Sequence, residues 1–130
     1  MPLDQAEAQR LQNAKWGKAT YPAPTTPIMI RLVTANGSAS APGTEVANAG
    51  GSAYAPQNAS TATPASAPNG VMTSNAAITF TNMPAATVVG LEEWTSDPRR
   101  TTFGALAAPK TTALGDSLTI AAGQLTDTMT

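Results

Sequence analysis

Short apolar segments, each closed by Pro or Gly, recur through most of this 130-residue chain. The clearest are residues 28–33 (IMIRLV), 76–84, 86–95 and 101–109. Alternation with a period of two places successive side chains on opposite faces of a strand, and Pro or Gly ends the strand. Strands repeated about every ten to twelve residues are typical of antiparallel sandwiches and barrels. The pattern predicts a mainly β fold, an antiparallel β-sandwich or barrel-like domain with long loops.

Two of these segments carry more specific predictions. Residues 28–33 are almost continuously apolar, which is typical of a central strand covered on both faces. Residues 101–109 end at Pro109, where we expect the strand to stop. At the end of the chain, short alternating stretches at 118–120 and 125–129 flank a turn or bulge at 121–124. We interpret them as a closing hairpin.

The N-terminal segment, residues 1–20, has a different pattern. Good helix formers fill residues 3–18, where Leu3, Leu11 and Ala14 fall near one face, and Gly17 is a suitable stop. A single helix of this length is marginal in water, so its apolar stripe must dock on the sheet or on a neighbouring subunit.

Residues 21–130 form the predicted single β domain, which an arm or loop rich in Pro, Ala, Ser and Thr interrupts at about residues 34–70. So long a stretch without strong periodicity is unusual inside a compact domain. We therefore expect contact with a partner to order it. An extended arm can add a strand to an exposed sheet edge.

Composition argues against several classes of function. The formal net charge is -1, charged residues make up 12%, and Arg99-Arg100 is the only adjacent basic pair, so we expect no direct nucleic-acid binding. Without Cys or His the chain has no thiolate or imidazole for catalysis or metal binding, and its acids lack the calcium-loop spacing. No apolar run is long enough for a membrane span. The sequence predicts no enzyme activity, no cofactor, no metal and no membrane association.

Two acidic motifs are candidate catalytic sites. Asp116-Ser117 follows Gly115, and without an imidazole we interpret Asp116 as a turn residue that hydrogen-bonds its own backbone. Glu92 and Glu93 are adjacent on a strand and point to opposite faces, so they cannot converge as in a glycosidase. We expect one of them to face solvent and the other to lie at an edge or subunit contact.

Large and basic side chains are the candidates for a subunit interface. The Arg99-Arg100 pair beside Asp97 is either a solvated turn or a salt-bridge contact to a neighbouring subunit. Trp16 and Trp94 are large enough to anchor an interface or a core. The candidate interface residues are Leu3, Leu11, Trp16, Tyr54, Trp94, Arg99 and Arg100.

Residues 12–127 resemble a family of small virion structural proteins, capsid decoration or minor tail proteins of tailed phages common in actinobacterial hosts. The resemblance lies in the segment GTEVANAGGSAYAPQ, which contains Glu45, Gly51 and Tyr54, and in the terminal FGALAAPKTTALGDSLTIAAGQLT. Pro56 departs from the family pattern, which has a basic residue after the Tyr.

The resemblance implies a capsid decoration (minor capsid, cement) protein. Such a protein binds the major capsid protein lattice as a homo-oligomer, with a trimer favoured, and stabilises the head. It would be made in the host cytoplasm and lie on the outer surface of the phage head. The alternative is a minor tail or tail-fibre-associated protein that acts as a connector or host-binding module.

Overall fold

The computed structural model describes residues 1–128 and shows nine β-strands and one α-helix within that range. The elements are α1 (Gln5–Lys15), β1 (Met29–Ala35), β2 (Thr44–Glu45), β3 (Gln57–Asn58), β4 (Val71–Thr73), β5 (Ile78–Phe80), β6 (Ala86–Trp94), β7 (Arg100–Thr112), β8 (Leu118–Ile120) and β9 (Thr126–Thr128). Every strand pair is antiparallel. The prediction of a mainly β fold with one short N-terminal helix is confirmed.

The largest sheet has the strand order β2-β1-β6-β7, and β3 pairs with β1 further along the same edge as β2. β1 is therefore a central strand, as its apolar sequence predicts. Ile30, Leu32 and Val33 are all buried, although neighbouring side chains on a strand point to opposite faces. Both faces of β1 are covered.

Two small ladders, β5–β8 and β4–β9, supply further layers. Ile78 and Phe80 of β5 share one apolar core with Ile30 and Leu32 of the main sheet. The Phe80 ring stacks on Tyr54 with centroids 5.9 Å apart. The main sheet thus packs against separate two-stranded ladders instead of one continuous second sheet.

Residues 34–70 pack on their own domain. Four of them enter the same core as the strands, namely Val46, Tyr54, Ala59 and Ala62. β2 and β3 also lie in this range and hydrogen-bond to β1. Widely spaced single anchors hold the stretch against the domain without a periodic pattern, and the ordering of this stretch by a partner stays a prediction.

The prediction of a closing hairpin is wrong, although both strands and the turn between them are present. β8 pairs with β5, and β9 pairs with β4. Buried Ser74 explains the divergence, because its Oγ accepts hydrogen bonds from the backbone N–H groups of Gly123 and Leu125. The turn at 121–124 is thereby fixed between the two ladders. Met129 lies outside the described residues.

β7 does not end at Pro109. Val88 pairs with Lys110 and Gly90 with Ala105, so Val89 alone opposes residues 106–109. The extra residues form a bulge that accommodates Pro109, which has no N–H to donate to a ladder. The strand then resumes to Thr112, whose hydroxyl donates to the Pro84 carbonyl.

The first residues of the chain cover the outer edge of β7. The Asp4 N–H donates to the Thr101 carbonyl at 2.9 Å, and the Phe103 N–H donates to the Pro2 carbonyl at 3.1 Å. Leu3 forms a bridge to Thr102 between these two bonds. This pairing places the start of α1 directly beside the sheet.

Gly90 in β6 allows a close contact that a larger residue would block. A Cβ at Gly90 would lie 2.0 Å from Asn36 Oδ1 and 2.6 Å from the Gly104 carbonyl oxygen. We expect Gly90→Ala to lower the free energy of unfolding by about 1–3 kcal/mol through overpacking, measured by urea denaturation. Asn36→Ala in the same background should restore only part of the loss, because the Gly104 backbone remains. A Gly90→Ala protein as stable as wild type would contradict this contact.

Candidate functional site

The polar seam between α1 and the sheet is the most densely charged part of the molecule. We define it as Asp4, Glu7, Arg10, Tyr21, Glu92, Arg99 and Arg100. Asp4 caps α1 by accepting a hydrogen bond from the Ala6 N–H, which places Glu7 in the first turn. The seam therefore starts from an ordinary helix N-terminus.

Glu7 is the buried anchor of the helix, with 1% of its surface exposed. Its Oε2 lies 3.0 Å from Arg10 Nη1 and 3.1 Å from Arg99 Nε, while its Oε1 accepts a hydrogen bond from Tyr21. Burial and the Glu7 carboxylate raise the pKa of Tyr21. The predicted face of α1 does lie against the domain, since Leu11 and Ala14 are half-buried. The fully buried residue on that face is Glu7, so charge contributes to the docking as well as the apolar side chains.

Arg100 is the second anchor and joins the helix cap to the sheet. Its Nη2 lies 2.8 Å from Asp4 Oδ2, and its Nη1 lies 3.2 Å from Glu92 Oε2. The same guanidinium donates to the carbonyls of Ser38 and Ala41. Arg100 is buried, so the interpretation of this pair as a solvated turn is wrong for Arg100.

Glu92 and Glu93 have different environments, as expected for neighbours on opposite faces. Glu92 is buried, pairs with Arg100 and accepts the Gly43 N–H at 2.7 Å. Glu93 accepts from the Thr102 hydroxyl at 2.7 Å. The expectation that one of them faces solvent is wrong, because Glu92 is buried and Glu93 is half-buried.

A cavity of about 230 Å³ contains the Glu93 carboxylate. Asp127 of β9 also lines it, and the Met1 amino group lies 3.8 Å from Asp127 Oδ1. Burial raises the pKa of Glu93 to about 7, and the negative charge of Asp127 adds to the rise. Burial also raises the pKa of Asp127. Two carboxylates thus share one largely apolar cavity, so their charged forms are disfavoured.

Hydrogen bonds of Tyr54 attach the loop that contains Glu45 and Tyr54 to β1. The Leu32 N–H donates to Tyr54 Oη at 2.9 Å, and the Tyr54 hydroxyl donates to Glu45 Oε1 at 3.1 Å. Asn48 bonds both the N–H and the carbonyl of Tyr54. Burial raises the pKa of Tyr54. These contacts fix the loop to β1.

The seven predicted interface residues occupy different environments. Tyr54 and Arg100 are buried, and Leu3, Leu11, Trp94 and Arg99 are half-buried, whereas Trp16 is 71% exposed. Arg31 stacks on Trp94, with its guanidinium carbon 4.2 Å from the ring centroid. Contact of any of these residues with another subunit stays a prediction.

Sequence reasoning missed Glu7 and Glu92 as buried ion-pair partners, and it missed the half-buried Asp4 as a partner of Arg100. One available signal was the Glu7–Arg10 spacing, which places opposite charges on one helix face. Asp116 lies where the sequence predicts, since its Oδ2 accepts the Ala113 N–H of the same turn at 2.8 Å.

The seam combines paired charges with a cleft of about 450 Å³ between the helix and the β6–β7 turn. Arg10, Asp97, Pro98 and Trp94 are among its lining residues. In residues 1–128 no group of three or more Asp and Glu residues could hold a metal ion. No helix in that range is long and apolar enough to cross a membrane. The charges of the seam bond to one another, and their role is to join elements of the fold.

Comparison with known proteins identifies the family. No curated protein matches the chain. The model of the family described as "Podophage GP4 fiber I protein gp80" matches residues 3–128, nearly the whole chain. This match confirms a phage structural protein, a virion component, and its description favours the tail-fibre alternative over capsid decoration. The chain belongs to the podophage GP4 fiber I protein gp80 family.

Proposed function

We propose that this protein is a non-enzymatic subunit of a phage fibre, where it acts as a connector or host-binding module. The observation that carries the proposal is the match to a podophage fibre family over residues 3–128. We therefore propose that the protein lies on the tail side of the particle and not on the head surface. Its proposed partner is another fibre component and not the major capsid protein.

The internal pairing of charges supports a structural role. Glu7 forms an ion pair with Arg99, and Glu92 forms one with Arg100, so the most buried carboxylates have cations as partners. Asp116 is used in a turn, and Ser117 is an exposed residue beside it. The paired charges and the Asp116 turn stabilise the fold, which suits a structural subunit of a fibre.

Extensive edge pairing supports the same proposal. A connector must keep its shape when its neighbours pull on it. Here the N-terminal residues bond to β7, and residues 34–70 are fastened to β1. Residues 2–4 thus pair with the strand at one edge of the main sheet, and β2 and β3 form its other edge. We propose that such subunits assemble as a homo-oligomer, with a trimer favoured.

Electron microscopy of virions labelled with an antibody against this chain tests the position. We expect the label at the tail or its appendages. Virions treated with the labelled secondary antibody alone provide the background. Label distributed over the head surface, or absence of the chain from purified virions by mass spectrometry, would overturn the proposal.

A further inference from the structure

Two large apolar side chains stand out from the surface in residues 1–128. Trp16 is 71% exposed and Leu114 is 53% exposed. Trp16 caps the C-terminus of α1, whereas Leu114 lies in the turn between β7 and β8. Isolated exposed apolar residues are common, so the charges around these two decide whether they form a contact.

The helix-end patch consists of Lys15, Trp16 and Lys18. Both lysines are exposed, and neither forms an ion pair with a described residue. Gly17 has φ +65° and ends the helix directly after the Trp. The patch thus presents an aromatic ring between two cations on a fixed helix end.

The turn patch consists of Gly50, Leu114 and Asp116. A Cβ at Gly50 would lie 3.5 Å from Leu114 Cδ2, so the glycine and the leucine lie side by side. Asp116 is exposed, and its bond to the Ala113 N–H holds the carboxylate in place. The patch thus presents a small apolar surface beside a fixed anion.

We propose that the helix-end patch of one copy of this chain binds the turn patch of a second copy. The Trp16 ring covers Leu114 and Gly50, while Lys15 and Lys18 approach Asp116. Apolar burial and charge complementarity then act together, since aromatic anchors contribute most to interfaces and complementary charges fix their orientation.

The proposed contact is heterologous, because each copy uses two different surfaces. Such contacts close into a ring when the rotation permits and otherwise continue as a filament. Either result is useful in an appendage, so the biological use of this contact rests on the proposed fibre function. The association itself is a property of the purified chain.

Zero-length cross-linking tests the contact directly. A carbodiimide joins a carboxylate to a lysine amine as an amide and takes up the water that is lost, so it links only groups in contact. We mix isotope-labelled and unlabelled copies of the full chain and analyse the peptides by mass spectrometry. We expect mixed-label links from Lys15 or Lys18 to Asp116. Links only within single copies, or none at these residues, would overturn the proposal.

Substitutions test the energetic part by sedimentation equilibrium. Trp16→Ala and Leu114→Ala should each raise the dissociation constant about tenfold or more. Asp116→Asn keeps an acceptor for the turn and should weaken association less. Lys110→Ala, which removes an exposed lysine outside both patches, is the control and should change little. A monomeric wild-type chain, or association that neither apolar substitution weakens, would contradict the contact and leave the fibre position to be tested separately.

Discussion

Replacing Arg100 by Met should lower the free energy of unfolding by about 3–5 kcal/mol, the usual effect of removing one partner from a buried ion pair. The substitution keeps much of the side-chain volume. It leaves Glu92 charged and buried, and it deprives Asp4 and two backbone carbonyls of a donor. Because a single domain is stable by only about 5–15 kcal/mol, the variant should unfold at a clearly lower urea concentration.

Arg31→Met is the matched control. Arg31 stacks on Trp94 and pairs with Glu45 at 3.8 Å, but about a third of its side chain is exposed. Its replacement should cost about 0–1 kcal/mol, as for surface pairs. Adding Glu92→Gln to Arg100→Met should recover part of the lost stability, since it removes the unpaired charge. Equal effects of the two arginine substitutions would contradict the role we assign to Arg100.

Stability should fall as the pH rises from about 4.5 to about 7, because the folded state holds the Glu93 proton more tightly than the unfolded state does. Burial raises the pKa of Glu93 from 4.5 to about 7. The contribution of its protonated form is fully present below the unfolded pKa and is lost through the folded pKa. Burial also raises the pKa of Asp127, so this residue adds to the fall in stability as the pH rises. The positive charge of the Met1 amino group reduces that rise in the pKa of Asp127.

Glu93→Gln should remove most of this fall, since the amide carries no charge at any pH. The variant should match wild type near pH 4 and exceed it by up to about 3 kcal/mol at pH 8, measured by urea denaturation at each pH. Asp97→Asn is the control, because Asp97 is exposed and its pKa is lowered, so the fall should persist. A Glu93→Gln protein with the wild-type pH profile would show that Glu93 does not hold the proton.

The strands with clear alternation, β1 and β5 to β9, could be predicted from the sequence because alternation and turn residues act locally. The strands β2, β3 and β4 have only two or three residues each and were missed. The buried β1 and the Asp116 turn are examples, since each depends on neighbouring residues. The partner of β8 could not be predicted. A three-residue strand has the same alternation whichever strand it pairs with, and the decisive hydrogen bonds to Ser74 come from a distant part of the chain.

The charged seam could not be predicted for a different reason. Acidic and basic residues are expected at the surface, and only the fold shows that Glu7 and Arg100 are enclosed. Arg100 and Asp4 are far apart in sequence, so no local spacing relates them. The low charge content argues against nucleic-acid binding, which stays a prediction, but it does not reveal that several of the few charges lie inside.

Because the N-terminal residues pair with β7, this edge of the sheet is partly blocked against the addition of strands from other chains. An open edge strand is a template for uncontrolled addition of further chains. Here residues 2–4 occupy part of that edge, and the bulge at 106–109 with Pro109 interrupts the rest. This edge is therefore a poor template for pairing with a further copy, and specific side-chain surfaces are left to decide which neighbours meet.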